Sequence, residues 1–268
     1  MIGAISYKLR AEKTARLPLI NGRLMHAAFF KILHEFSPEL ESFVHEKLNI
    51  KPFTVSFADP LNNIPSVEGR WQVKRGDKFF WKVTGLNEEI LRAALAIPIG
   101  YEIQVGELIL TVDDTNSEIF SKEEFISNVK KFSPATEIEF EFLTPVSFRI
   151  DNFDAPYPRA DLIFPSLADK WTQVQMPAAV DKKVIKEISA QIRLTEWQGR
   201  SKKFYLANDR GTLGFWGIFK YSLKEINSDV RKVFMLLAKF GEYSGVGRLC
   251  AQGFGQTRVK FYEVFNLL

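Results

Sequence analysis

Residues 244–259 read SGVGRLCAQGFGQTRV, a glycine-rich loop that holds an arginine, a glutamine, a phenylalanine and the only cysteine of the chain. Its place decides how the chain is read. The stretch before it, NSDVRKVFMLLAKFGEYSG (227–245), has Val230, Val233, Phe234, Leu237 and Phe240 at helical spacing, with Asn227 or Ser228 as the cap. The stretch after it, FGQTRVKFYEVF (254–265), reads as a strand. The loop therefore runs from helix to strand. A dinucleotide-binding fingerprint runs from strand to helix and needs glycine where Cys250 stands. A Walker-type phosphate loop needs Gly-Lys-Ser/Thr, which is absent. One reading of the loop is a plain turn after a helix, with Gly241 or Gly245 in the left-handed conformation. The other is a cradle in which amides bare of side chains approach a phosphate chain, with Arg248 pairing to phosphate or stacking on a base.

Working outward from the loop, the second half of the chain begins with strand at TEIEFEFLTPVSFRI (136–150) and helix at ADLIFPSLADKWTQV (160–174). Strands are expected at 186–199, 202–208 and 212–223, then the helix, loop and strand already quoted. The first half opens with a strand at 2–9 and a helix in which Leu24, Ala28, Phe29, Ile32, Leu33 and Phe36 form an apolar stripe. Ser37 and Pro38 start a second helix. Strands follow at 51–57, 69–73 and 78–86, the last two joined by the turn KRGDK. A helix capped by Asn87 and strand at 102–114 complete the half. Both halves have the order β-α-β-β-α-β. The expected fold is α+β, two tandem ferredoxin-like (RRM-like) domains over 1–132 and 133–268, joined through a helix near 121–135.

Composition bounds the function. The chain has 268 residues, 46% hydrophobic and 25% charged, which suits an ordinary globular protein with a sizeable core. A net charge of +4 permits a polyanionic partner without requiring one. One cysteine excludes an internal disulfide and any cysteine-cluster metal site. No apolar run reaches the roughly 18 residues of a membrane span, and 1–18 lacks the apolar core of a signal peptide. A cytoplasmic protein without membrane attachment is expected.

The whole motif 244–259 resembles the C-terminal glycine-rich motif of the CRISPR-associated protein six family, endoribonucleases that cut CRISPR repeat RNA. Gly245, Gly247, Gly253, Phe254 and Gly255 carry the match. NGRLMHAAFFKIL (21–33), SPELESFVHEKLNIKPFTVSF (37–57), WKVTGLNEEI (81–90), FLTPVSFRI (142–150) and IFPSLADKW (163–171) resemble further family blocks, so the likeness covers most of the length. It implies the same tandem ferredoxin-like fold, metal-independent cleavage within the repeat without a cofactor, and 5′-hydroxyl and 2′,3′-cyclic phosphate ends. It also implies CRISPR repeat RNA as partner, effector-complex subunits as further partners, and a monomer or homodimer.

The chain has three histidines, all between residues 26 and 45, and histidine titrates near neutrality. Attack of a 2′-hydroxyl on the adjacent phosphate needs a base, an acid and a cation for the growing charge. His26 follows Arg23 by three residues, so the two share a helix face. Read without the family, His26 packs against Phe29 and Phe30, and His45 is a solvated histidine beside Glu41. The resemblance assigns catalysis to His45 and Lys51, and in some members to His26 and Arg23. Where other members carry a tyrosine, this chain has Phe30, which favours a His26–His45 pair with acid and base unassigned. His34, at a helix end, reads as structural.

Residues 191–211, QIRLTEWQGRSKKFYLANDRG, interleave Arg193, Arg200, Lys202, Lys203 and Arg210 with Trp197, Phe204 and Tyr205. They read either as a hairpin with a solvated cationic edge or as an RNA-holding hairpin with cations on phosphates and an aromatic for stacking. Arg193, Arg200, Lys202 and Lys203, with Gly245, Gly247, Arg248, Gln252, Gly253, Phe254 and Gly255 of the loop, are the candidate RNA contacts. The turn with Lys74, Arg75 and Lys78 reads as solvated. The competing reading for the whole chain is a repeat-RNA-binding protein that retains or delivers the RNA without cutting it.

Overall fold

Alternation of small or polar with apolar residues in 2–11 makes a strand with one face inward, and that strand organises the first half of the molecule. The computed structural model describes residues 1–47, 50–205 and 211–263, with the side chains of residues 43 and 45–47 outside that description. Packing divides the chain into two units. One is Met1–Ile119 together with Ala251–Gly253; the other is Phe120–Cys250 with the chain from Phe254 onward. The division at 119/120 groups the helix expected near 121–135 with the second unit.

In the first unit, β1 (Ile2–Ala11) is followed by β2 (Ala15–Pro18), α1 (Gly22–Phe36), α2 (Pro38–Lys47), β3 (Phe53–Val55), β4 (Asp59–Pro60), β5 (Ser66–Val67), β6 (Arg70–Val73), β7 (Lys78–Gly85), α3 (Glu88–Leu95), β8 (Glu102–Val105) and β9 (Leu108–Phe120). The main sheet has the order β3-β7-β1-β9-β8, with β4 also on β7. Taking β1, β3, β7 and β9 as the four strands of a βαββαβ unit, the spatial order is second, third, first, fourth. β1 and β7 pair antiparallel from Gly3↔Gly85 to Arg10↔Lys78. That register sets Tyr7 opposite Trp81, whose rings stack at 4.9 Å. Tyr7 is buried and its hydroxyl donates to the Ala94 carbonyl at 2.7 Å, while burial raises its pKa. Phe29 of α1 fits against both Phe53 and Trp81. Each such ring contributes about 1.5–3 kcal/mol by leaving water. Asn87 caps α3 by accepting from the Ile90 amide, as its sequence predicts.

The second unit contains α4 (Lys122–Lys130), β10 (Glu137–Val146), β11 (Phe148–Ile150), β12 (Phe153–Ala155), α5 (Ala160–Gln173), α6 (Lys182–Ser189), β13 (Arg193–Tyr205), β14 (Gly211–Ser222), α7 (Ser228–Ser244), a 3-10 turn at Cys250–Gln252 and β15 (Thr257–Tyr262). Its sheet runs β13-β14-β10-β15. In chain order that is again second, third, first, fourth. The tandem ferredoxin-like reading holds. Phe140 meets Phe164 of α5, and Phe164 meets Phe234 of α7, so helix and sheet share one aromatic core. No described helix is long and apolar enough to cross a membrane.

Two sequence expectations are corrected. The segment from 186 onward does not begin as strand. Asp181 accepts hydrogen bonds from the Lys183 and Val184 amides and starts helix α6, whose buried Ile185 and Ser189 are one turn apart. The strand begins only at Arg193. Likewise, the strands flanking KRGDK do not pair with each other. β6 joins β2 and β5 in a separate three-stranded sheet, while β7 enters the main sheet between β3 and β1.

Lys170, on the last turn of α5, holds the end of α7 in place. Its ammonium is buried and donates to the carbonyls of Ser244 (3.1 Å) and Gly245 (2.8 Å) and to Cys250 Sγ (3.1 Å). The last carbonyls of a helix lack partners within it and carry partial negative charge, so a cation there is satisfied on all sides. Lys170→Met keeps the stem but strands these acceptors. We expect it to lower stability by about 1–3 kcal/mol, read as an earlier urea midpoint at constant slope. An unchanged midpoint would contradict this role.

Candidate functional site

Helix α1 presents His26, Phe30 and His34 at successive four-residue intervals, hence along one face. Arg23, one turn before His26, is exposed. His26 is half-buried, with its ring 4.6 Å from that of Phe30 and 6.0 Å from that of Phe53. Its ring neighbours thus include Phe53 of β3 as well as Phe30. His26, Phe30, Lys31, His34, Glu35 and Glu41 line an open groove of about 500 Å³ between α1 and α2. His34 is exposed, with Nδ1 3.8 Å from Glu41 Oε2. Glu41 thus faces His34. The side chain of His45 lies outside the described residues; its backbone belongs to α2. Lys51 donates to the carbonyl of Val44, on α2, at 2.5 Å. Burial pushes the Lys51 ammonium pKa down.

The glycine loop meets His26 directly. His26 Nδ1 lies 2.8 Å from the carbonyl oxygen of Ala251. Two glycines permit this approach. A Cβ at Gly22 would fall 1.9 Å from the Gln252 oxygen, and a Cβ at Gly253, where φ is +87°, would fall 2.4 Å from the Phe57 ring. Asn21 fixes the same place. Its amide donates to the carbonyls of Pro18 and Ala58 at 3.2 Å each, and its oxygen accepts from the Ala58 amide at 2.8 Å. Asn21 and Gly22 escaped the sequence reading. The available signal was an Asn-Gly pair at a helix start, where glycine costs helix propensity unless space demands it.

The rest of the loop is stitched to the end of β10. The amides of Val246, Arg248 and Gly255 donate to the carbonyls of Gly255, Ser147 and Pro145, each at 2.9 Å, and the Gln256 amide donates to Thr144 Oγ1. Gly245, Gly247 and Gly255 take positive φ, like Gly253; Gly241 does not. The amides of 246, 248 and 255 are therefore committed to the fold. Phe254 is fully buried, edge-on to Phe204 at 5.8 Å, so it anchors the loop and offers no face to a base. Cys250 is buried and packs within the loop, its thiol donating to Gly247 O at 3.3 Å. Gln252 is half-buried. Arg248 forms an ion pair with Asp154 at 3.0 Å, and Asp154 also accepts from the Leu213 amide. An RNA phosphate at Arg248 would compete with that carboxylate.

The hairpin of β13 and β14 pairs from Arg193↔Ser222 to Tyr205↔Gly211. Arg193, Arg200, Lys202 and Lys203 are all exposed along it. Trp197 is 62% exposed and lies parallel to Phe219. The Arg200 guanidinium stands over Trp216, 4.6 Å from its ring centre, and Lys203 over Tyr205 at 5.5 Å. Lys220 is paired with Glu196 at 2.7 Å. The exposed cations share this strand with exposed Trp197 and Tyr205, whereas Phe204, which the sequence also offered for stacking, is buried. Arg210 lies outside the described residues.

Known proteins resemble this chain at three levels. The family model described as CRISPR-associated endoribonuclease Cas6 matches residues 140–257. CRISPR-associated endoribonuclease Cas6 of Mycobacterium tuberculosis (strain CDC 1551 / Oshkosh) is 25% identical over 186 residues, which is 67% of this chain; the match spans 58% of the length of that relative. Among solved structures, a Cas6 product complex is 25% identical, with a TM-score of 0.75 over 97% of this chain and 100% of the other. Thermus thermophilus Cas6 has a TM-score of 0.71 at 22% identity, over 97% of this chain and 98% of the other. In family model, sequence and fold alike, this chain is similar to the Cas6 family of CRISPR-associated endoribonucleases, as the motif at 244–259 indicates.

Proposed function

We propose that this protein is a metal-independent endoribonuclease that cuts CRISPR precursor RNA within the repeat, in the cytoplasm. The observation that carries the reading is His26: a half-buried imidazole in an open groove, held by its hydrogen bond to a carbonyl of the very loop that resembles the family motif. The reaction needs no group beyond the chain and the RNA. A base takes the proton of the 2′-hydroxyl, O2′ bonds to phosphorus, and the P–O5′ bond breaks. O5′ takes a proton from an acid, leaving a 5′-hydroxyl and a 2′,3′-cyclic phosphate. His26 and His45 form the acid–base pair. Arg23 or Lys51 neutralises charge on the phosphoryl oxygens. Residues 133–268 hold the RNA through the hairpin cations Arg193, Arg200, Lys202 and Lys203 and through the loop, where Arg248 and Gln252 stand beside Gly245, Gly247, Gly253 and Gly255. The RNA-bound product serves CRISPR effector subunits, and the chain acts as monomer or homodimer.

One feature favours a second reading. Phe30 lines the groove without a hydroxyl where some family members carry tyrosine, as suits a protein that holds repeat RNA and does not cut it.

The deciding experiment is cleavage of a labelled repeat RNA in excess EDTA. We expect a single cut by the wild type, slowed about 10²- to 10⁴-fold in His26→Ala and in His45→Ala with binding retained. Loss of the cut on chelation contradicts metal independence. Tight binding with no cut supports the second reading.

The hairpin generates a separate expectation. The pair Lys202→Ala with Lys203→Ala removes two exposed cations, so the slope of log affinity against log salt should fall by about 1–2, since each neutralised phosphate contributes about 0.7–0.9. The cleavage rate at saturating RNA should be unchanged. An unaltered salt slope contradicts phosphate binding there.

A further inference from the structure

Two arginines of the first unit stand on one face of its small sheet. β2, β6 and β5 pair antiparallel, with Arg16 opposite Gln72 and Pro18 opposite Arg70. Successive side chains of a strand point to opposite faces. Leu17 and Val73 are buried, and Ala15 and Trp71 pack with them against the core of the unit. Arg16, Pro18, Arg70 and Gln72 therefore occupy the outward face, where both arginines are exposed. The two-residue turn Glu68-Gly69, with both φ positive, closes β5 onto β6 and sets Arg70 opposite Val67.

Many guanidinium groups of the chain are satisfied within the fold. Arg10, Arg92, Arg159, Arg248 and Arg258 each pair with a carboxylate, and Arg231 donates to the carbonyls of Lys224 and Ile226. Arg16 and Arg70 have neither an ion pair nor a side-chain hydrogen bond among the described residues, and Glu68, two residues from Arg70, pairs with neither. Gln72 is neutral and donates to the Arg70 carbonyl. As diagonal neighbours across two strands, the arginines stand about 7–8 Å apart at the backbone. Like charges this close repel, and no described carboxylate relieves them. An anion with repeating charge does so.

We propose that the outward face of this sheet is a further RNA-binding site, in which Arg16 and Arg70 hold neighbouring phosphates of the strand close to its cut. The proposal rests on the RNA-binding part of the function proposed above and does not depend on cutting. The guanidinium fork takes a phosphate through two parallel N–H···O bonds, so two forks side by side suit successive phosphates. Protein partners are held mainly by aromatic and apolar anchors. The aromatic residue of this sheet, Trp71, is turned to the core, whereas a phosphate chain needs only the cations.

Chain connectivity places the face near His26. Pro18, opposite Arg70, accepts from the side-chain amide of Asn21, the residue that precedes α1. Three residues lead from Pro18 to Asn21 and five more along the helix to His26, about 18 Å at most. At about 3.4 Å of rise per nucleotide, that is a few nucleotides of RNA.

The test uses the full chain and a labelled repeat RNA with its natural flanks. Arg16→Ala with Arg70→Ala should lower the slope of log affinity against log salt by about 1.4–1.8, the share of two phosphates. The cleavage rate constant at saturating RNA should not change. Arg16→Lys with Arg70→Lys should keep the slope. Ethylation interference locates the contact. Two neighbouring phosphates near the cut, whose ethylation weakens binding by the wild type, should become indifferent in the alanine pair. Lys183→Ala with Lys186→Ala removes two exposed cations from α6 and serves as the control, with the wild-type slope expected. If the alanine pair fails to fold, judged by circular dichroism, Arg16→Gln with Arg70→Gln takes its place. An equal fall in the control pair, or an interference pattern identical to that of the wild type, overturns the proposal. An unchanged slope overturns it too, and points to an acidic protein as the occupant of the face. A wild type that cuts RNA and gives any of these results refutes this site alone. A wild type that binds the RNA through this face and cuts none refutes the endoribonuclease reading instead. A wild type without affinity for the RNA refutes both.

Discussion

The close backbone approach between residues 22 and 252–253 is the constraint on which the site depends. A hydrogen replaces a side chain at Gly22 and at Gly253, and only so can the loop carbonyl of Ala251 come within 2.8 Å of His26. A glycine-rich loop is usually explained by what its bare backbone offers to a ligand. Here much of the loop is spent on the protein. Its amides at 246, 248 and 255 are bound by carbonyls, Phe254 is buried, and Lys170 fixes the helix end from which it departs. What emerges is a rigid piece of backbone whose shape is set by several independent hydrogen bonds. Rigidity is what a catalytic group needs from its support, because a displacement of about 1 Å can cost about 10²-fold in rate.

The surface proposed to bind RNA follows a different logic. On the β13–β14 hairpin the cations are exposed, and Arg200 and Lys203 stand over aromatic rings. Such pairs hold a cation in place without neutralising it, since the ring carries no net charge. Arg248 is the contrast. Its partner is the Asp154 carboxylate, which itself receives the Leu213 amide. An anion approaching Arg248 must displace a carboxylate, whereas one approaching Arg200 need not. In the proposed function the hairpin is therefore the better first contact for a phosphate chain, and Arg248 is suited to a contact made once the RNA is in place.

Much of the fold was legible because periodicity reports burial. The apolar stripe of α1 is inward as far as Leu33, while Phe36, read as its end, is exposed; the cap at Asn87 appears where its sequence places it, and the two βαββαβ orders follow from the succession of such signals. Periodicity does not report partners. β6 and β7 both read as strands about a turn, yet they enter different sheets, because pairing is settled by distant segments such as β2 and β1. Helix α6 was hidden for a local reason: Asp181 lies just outside the apolar run it caps. In the candidate site, His26 stood out in the sequence by its chemistry and by the family resemblance, and the structure brings it against the loop. The roles of Asn21, Gly22, Ala251 and Lys170 did not stand out. Each acts through a hydrogen bond or a close approach to a residue dozens to hundreds of positions away.

In the proposed reaction the RNA supplies its own nucleophile and the chain supplies proton transfer. Replacing the 2′-hydroxyl by hydrogen at the single nucleotide 5′ to the cut tests this most directly. Cleavage of this RNA and of its unmodified counterpart is followed under single turnover, with binding measured alongside. The deoxy RNA is expected to bind as tightly and to remain uncut at that position. Cutting there at a comparable rate would show an external nucleophile and contradict the proposed reaction.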